Sequence, residues 1–414
     1  MNDVTSFVRS ISGISSRPSD FPWSIRPEPY TNSGEVVTKE EKILGIMKTW
    51  TVIRYFYAYP ERCAEDWDSV LDKYLESAQK TTSDKEYYSL IGEMMAMLND
   101  SHAGVFHPSI FDFSEIFVVP LNFEYIENKA IITFMDSSIM PLLRPGDEIT
   151  AIDGLSIAEI MEEGKKKLSY SNRQSLIAQV INPGYFAGAP GSMMKLEIRR
   201  GKENSSLELP RTTLVFDMEN FGGNPLVSKI WDGHIGYLNL ARLLDPAALE
   251  TELRKMQSTN ALILDLRNSY PTWDYYPFLS MLAGEEVTAR IDKVPVVAAC
   301  KNRRQVQTGY SVIHPDTDFI YRNKIFVLVD KTMVSRPEDF AIALASLPNV
   351  VFVGEQTQGT NGEMTKMALP GGGEVSFTGQ KIKFGNGKEF QGIGITPDIR
   401  VNKTVKGVKE GMKF

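Results

Sequence analysis

The sequence predicts a mixed α/β protein of several domains, on three observations. Residues 38–98 place apolar side chains at helical spacing. From about residue 117 the period changes to the alternation of half-buried strands. From about residue 228, short and nearly continuous apolar runs alternate with helical stretches, as in a mostly parallel sheet buried on both faces. The length, 414 residues, agrees, because one hydrophobic core rarely grows that large.

Residues 1–37 are rich in Ser, Pro and Gly without a sustained period and read as a linker or arm. Within them FPWSIRPEPY is extended, because the residue before each proline is pushed out of the helical region. Residues 38–110 form a helical unit. Thr38 and Glu41 make a capping box, followed by Ile43, Ile46, Met47, Trp50, Ile53 and Tyr57 on one face. Trp67, Val70, Leu71, Tyr74 and Leu75 mark a second helix. Ser83 and Glu86 open a third, which runs out into NDSHAG. These Met and aromatic stripes read as core.

Residues 117–212 form a small β-rich domain. VVPLNFEY alternates, ENK (127–129) turns the chain back into AIITF, and MMKLEIRRGKENSSLELPR reads as a hairpin. Residues 225–405 form the α/β domain. IGYLNLA, ALILDLR, KIFVLVD and NVVFVGE are its strands, and Asp245-Pro246 opens a helix with Asp as cap and Pro at the first position.

Composition narrows the function. A net charge of −7 and 42% hydrophobic residues suit a globular protein and recommend neither nucleic acid nor an anionic membrane as partner. No apolar run approaches the roughly 20 residues of a membrane span, and MNDVTSFVRSISGISS lacks the apolar centre of a signal peptide. Two cysteines make no disulfide framework. His102 and His107 lie five apart with Pro108 beside them, which is wrong for a metal pair on a helix, so no metal is expected.

Ligands of open α/β sheets sit beyond the carboxyl ends of the strands. DLRNSYP, TMVSRPE and GEQTQGTNGE all fall there. Ser335 lies between a strand and a helix, where the helix dipole and the unpaired N–H of Arg336 could stabilise an oxyanion. Yet Ser335-Arg-Pro-Glu338 is also a capping-box pattern, and local chemistry alone favours the cap. His102 taken alone reads as a surface residue at a helix end.

The order of segments adds a resemblance. LNDSHAG, RPGDEITAIDG, ILDLRNSYP, FVLVDKTMVSRPEDF, VVFVGEQTQGTNGE, LPGGGEVSFTG and FQGIGITPDIRV follow one another as in the serine peptidases that include the C-terminal (tail-specific) processing peptidases and the tricorn core protease. The resemblance covers roughly residues 39–403. It implies that residues 117–212, with Arg144 to Gly154 as signature, are an inserted PDZ-like domain binding a substrate's C-terminal tail, and that 225–405 is the catalytic domain. It implies Ser335 as nucleophile, with Glu338 three positions on, and reverses the preference for a mere cap. The processing peptidases' base is a lysine at the position of Thr360; Lys366 lies outside the motif. The resemblance therefore points to the tricorn-like branch, with His102 as base and Ser101 as its orienter. That branch has an acid where this chain has Gln391, with Glu389 two residues earlier, so the third relay member departs from the pattern. Asn268, Ser269 and Tyr270 replace a glycine-rich run, leaving the Arg336 N–H as the firmer oxyanion donor and Ser269 N–H as the weaker.

The implied activity is a serine endopeptidase acting on unstructured polypeptides through their C-terminal ends, with no cofactor and an unspecified oligomeric state. The alternatives are a catalytically impaired peptide-binding relative and a hydrolase of a non-peptide acyl substrate. The resemblance also implies an exported protein, periplasmic or at the cell surface, whose signal is absent from this chain, with a cytoplasmic location as the alternative. Across 233 residues, His102 and Ser335 must meet in the fold.

Overall fold

The computed structural model describes residues 36–220, 226–269, 271–297 and 304–412. The arm expected over 1–37 therefore lies almost wholly outside the described residues.

Three helices open the described chain: Lys39–Phe56, Trp67–Lys80 and Asp84–Ala96. The first starts at a full capping box, in which Thr38 Oγ1 accepts from the Glu41 N–H while Glu41 accepts from the Thr38 N–H. At the third helix Ser83 Oγ accepts from the Glu86 N–H, but the Glu86 carboxylate turns instead to the Thr82 N–H and hydroxyl. Tyr57, Tyr87, Tyr88, Ile91, Met94 and Met95 are fully enclosed. Their core is shared with Leu369, Val375 and Phe377 from the far end of the chain. The short strand Gly104–Phe106 continues this union. It pairs antiparallel with Glu374–Thr378, which in turn pairs with Met364–Ala368. The helical region is thus sewn to the C-terminal hairpin just beyond NDSHAG.

Residues 121–210 fold around a second core, built on an antiparallel sheet in the order Leu121–Ile126, Lys129–Met135, Glu148–Ile152, Met193–Arg200, Glu203–Pro210. Glu127 and Asn128 both take positive φ (52° and 62°), the two-residue turn whose twist matches a hairpin. Two helices, Ile157–Lys167 and Arg173–Val180, cover this sheet and were not anticipated. The first opens on a capping box of Ser156 and Glu159, a local signal that the alternating strands around it overshadow.

The C-terminal half is built on a six-stranded sheet. Ile235–Asn239, Ala261–Asp265, Lys324–Val329, Val350–Gly354 and Ile399–Arg400 run parallel, and Ser228–Trp231 closes one edge antiparallel. The helix Arg336–Leu344 follows the third of these parallel strands, and every residue from Pro337 to Leu344 is buried, the charged Glu338 and Asp339 included. A long hairpin, Val287–Val297 with Arg304–Ile313, lies outside the parallel sheet and pairs with Lys381–Phe384. It too was unforeseen, because its strands read as mixed polar sequence. No helix among the described residues is long and apolar enough to cross a membrane.

Candidate active site

Ser335 occupies the N-cap position of the helix Arg336–Leu344 with φ 64° and ψ −117°. Thr38, Ser83 and Ser156 cap their helices in the extended region, with φ of −68°, −138° and −65°. An ordinary cap is extended. A positive φ at a residue other than Gly costs on the order of 1–3 kcal/mol and persists only where the surroundings impose it. Here they do. The Ser335 N–H donates to the Thr360 carbonyl at 2.8 Å and lies 3.2 Å from Glu338 Oε2. The side chain is half-buried and so remains reachable.

Glu338 fastens the neighbouring loop. Its fully enclosed carboxylate also accepts from the Gly359 N–H (2.7 Å), the Thr360 N–H (3.0 Å) and the Thr357 hydroxyl. Gly359 is obligatory. Its φ is 68°, and a Cβ there would stand 2.9 Å from the backbone nitrogen of Gly394. Burial pushes the Glu338 carboxyl up to about 7, and the four donors only partly offset this. In the unfolded chain the group titrates near the ordinary glutamate value. Between those values the folded state holds more protons, so this group's contribution to stability falls as pH rises from about 4.5 to about 7. The expected size is on the order of 3 kcal/mol. Thermal melts between pH 4.5 and 8 should show this decline in the wild type and lack that component in Glu338→Gln. An identical pH slope in the two proteins would refute it.

Thr360, at the position where a lysine was the alternative base, is buried, and its hydroxyl donates to Ser171 Oγ at 2.5 Å. Lys366 lies on the strand Met364–Ala368 at the surface, where it pairs with Glu374 at 2.8 Å.

His102 follows the third helix. Asn99, at φ 50°, turns the chain out of that helix. Arg62 then holds three segments together, donating to the carbonyls of Asn99 (3.2 Å), Gln391 (3.3 Å) and Ser171 (2.6 Å). The imidazole Nδ1 lies 3.0 Å from Thr378 Oγ1. Burial lowers the imidazole pKa below its ordinary 6.5, against the opposing charges of Asp100 and Glu363.

Two expected orienters of the ring sit elsewhere. Ser101 Oγ accepts from the Ser171 N–H at 3.1 Å, because the NDSH segment packs against the 169–171 loop. Gln391 is buried, and its carbonyl oxygen accepts from the Asn361 N–H at 3.1 Å. Its one acceptor is thus engaged, and the amide nitrogen faces Asp100 (3.2 Å) and Ser171 (3.3 Å). Glu389 is at the surface, paired with Lys383 and Lys381. The oxyanion expectation at Ser269 also meets a difference, because its N–H donates to the Leu266 carbonyl at 3.1 Å, in a turn. Arg336 keeps its N–H at the first turn of the helix, while its guanidinium grips the carbonyls of Pro271 (2.8 Å) and Trp273 (2.9 Å).

Ser335 and His102 therefore belong to one hydrogen-bonded network. It runs from the Ser335 N–H through Thr360 to Ser171, on through Gln391 and Asp100 to Thr378, and so to the imidazole. Ser171, Thr378, Asp100 and Arg62 were not anticipated. Thr378 lies inside LPGGGEVSFTG and Asp100 inside LNDSHAG, so the segments were noticed but not these side chains. Ser171 and Arg62 carry no local signal.

Residues 234–401 match the model of peptidase family S41, and residues 47–96 match that of the tricorn protease C1 domain. Over these two stretches the chain is similar to that family and to that domain. Among relatives of this chain, the carboxyl-terminal-processing protease of Picosynechococcus is 23% identical over 388 residues, covering 87% of this chain and 83% of its own. The chloroplastic C-terminal processing peptidase of Tetradesmus obliquus is 23% identical over 390 residues, covering 90% and 79%. Among solved structures, mature CPAF complexed with lactacystin has a TM-score of 0.71 at 14% identity, covering 90% of this chain and 96% of that one; this similarity concerns the fold. The chain is accordingly a serine-type peptidase, a hydrolase of polypeptides.

Proposed function

We propose that this serine-type peptidase cleaves unstructured polypeptides, selects them by their C-terminal ends through a PDZ-like domain over 117–212, and works with Ser335 as nucleophile and His102 as general base. One observation carries the assignment of the nucleophile: Ser335 holds a strained positive φ at a strand-to-helix turn, where three other Ser and Thr caps of this chain are extended. Strain maintained by a buried carboxylate and a carbonyl is more than a cap requires.

In this reading His102 Nε2 takes the Ser335 proton as Oγ attacks the scissile carbonyl. The Arg336 N–H, at the positive end of its helix, donates to the developing oxyanion. The imidazolium then protonates the leaving amine, and a water activated by the same imidazole releases the acyl group. No cofactor enters. The middle unit supports a gating role, since its Ser171 reaches the network that joins Ser335 to His102. The names of the curated relatives support recognition of carboxyl termini.

A fluorophosphonate probe should label the wild type and not Ser335→Ala, while labelling of both to the same extent would remove Ser335 as nucleophile. An unstructured peptide with a free C-terminal carboxylate should be cleaved with a lower KM than its amidated form. Equal KM values would remove the tail-recognition part and leave the chemistry standing. Lys366→Ala should keep most of its activity, because that lysine is spent on a surface pair with Glu374. A dead Lys366→Ala protein would point to a lysine base. The same reading includes export from the cytoplasm, which cell fractionation checks: recovery in the cytoplasmic fraction alone would overturn it.

A further inference from the structure

The chain has an amide, Gln391, where the tricorn-like pattern has an acid, so the reading above leaves the base without an obvious carboxylate. Asp100 is fully buried and unassigned by that reading, yet it has a through-bond route to the imidazole. Its Oδ1 accepts from the Thr378 hydroxyl at 2.8 Å and from the Gln391 amide nitrogen at 3.2 Å. The same oxygen accepts from the His102 backbone N–H at 3.1 Å, and Oδ2 accepts from the Thr378 N–H at 2.8 Å. The carboxylate is thus held by four donors, and one of these, the threonine hydroxyl, also touches the ring.

The directions of these bonds carry the argument. A carboxylate can only accept, so the Thr378 hydroxyl spends its single proton on Asp100. Only its lone pairs are left for the ring nitrogen 3.0 Å away. His102 Nδ1 must therefore carry a proton and donate it, which leaves the lone pair on Nε2, the nitrogen a general base needs. A threonine hydroxyl bound in this way is also a better acceptor than a free one, because its bond to the anion polarises it.

We propose that Thr378 and Asp100 are the positioning pair of this peptidase: the Asp100 carboxylate acts through the Thr378 hydroxyl to fix the His102 tautomer and to stabilise the imidazolium, the task that an acid at position 391 would otherwise perform. Gln391 contributes one step further out, by orienting Asp100. The proton movement is unchanged. Ser335 Oγ loses its proton to Nε2, Nδ1–H stays on the ring, and the positive charge that forms faces an oxygen already oriented by an anion. The charged groups acting on the ring are Asp100 and, more weakly, Glu363.

This inference rests on His102 as base, and the test separates the two. Thr378→Val keeps the shape and removes the acceptor; Thr378→Ser restores it. Thr378→Val should lower kcat roughly ten- to a hundredfold with KM little changed, and should move the acid limb of the kcat/KM profile to lower pH. Thr378→Ser should recover most of both. Asp100→Asn should move the limb in the same direction, because it removes the anion; should that protein not fold, the Thr378 pair decides alone. In the wild type, the imidazole nitrogen NMR signals should show a protonated Nδ1 and a bare Nε2 above the acid limb, and in Thr378→Val a mixture of tautomers. A Thr378→Val enzyme with wild-type kcat and an unmoved acid limb, beside an inactive His102→Ala, would overturn the positioning pair alone. A fully active His102→Ala would overturn the base and the pair with it.

Discussion

Ser335→Ala should abolish peptide hydrolysis and leave a folded protein. The expected loss is to background, because no second nucleophile stands at that turn and the oxyanion donor and base alone do not form an acyl-enzyme. The expected change in stability is small. Losing a helix cap costs about 1 kcal/mol, and the turn itself is held by backbone groups that alanine keeps: the N–H to Thr360 and to Glu338, and the carbonyl that accepts from the Asp339 N–H at 2.9 Å. The melting temperature should therefore stay within a few degrees of the wild type in calorimetry. Substantial residual turnover in a purified, correctly folded Ser335→Ala protein would mean that the strained serine is structural and the nucleophile lies elsewhere.

The second large effect is at His102. His102→Ala should lose roughly 10²–10⁴-fold in kcat, the usual worth of a positioned general base. The wild-type pH profile supplies an independent check with a definite sign. The base must be neutral to accept a proton, so activity rises with pH through the imidazole pKa. Burial lowers that pKa below 6.5, so the midpoint of the acid limb should fall on the acid side of 6.5 and activity should be flat by neutrality. A limb centred near or above 7 would mean that another group sets it, and Glu338, pushed up to about 7 by burial, is the nearest candidate. A Glu338→Gln profile separates these two sources, since it moves the limb only if the glutamate sets it.

The local layer of the structure was legible along the chain. Thr38 with Glu41, Asp245 with Pro246, and the Glu127-Asn128 turn each act over three or four residues, and each is found where its own chemistry puts it. The four apolar runs became adjacent parallel strands because only a sheet covered on both faces hides such sequences from water. The two helices over 157–180 and the long hairpin over 287–313 escaped this kind of reading. Their patterns are mixed, and their stability comes from the surfaces they cover rather than from their own periodicity.

Ser335 and His102 were singled out by the segments around them, yet nothing local could decide between a cap and a nucleophile. Both readings require a small polar residue at the start of a helix, and they differ in a backbone angle that Thr360 and Glu338 impose from other positions in the fold. The partners of the imidazole were further out of reach. Gln391 and Ser101 stand out by position within motifs, but a hydrogen bond is made by whichever donor and acceptor the packed chain brings within about 3 Å. Here the shared core of the N-terminal helices and the C-terminal hairpin sets Thr378 against both His102 and Asp100, 276 and 278 residues away. The sequence by itself determined which segments carry reactive groups, because that depends on residue type and short-range order. Only the tertiary structure decided which of those groups touch, because contacts between distant segments follow from how their apolar faces pack, and no pattern within either segment records the other.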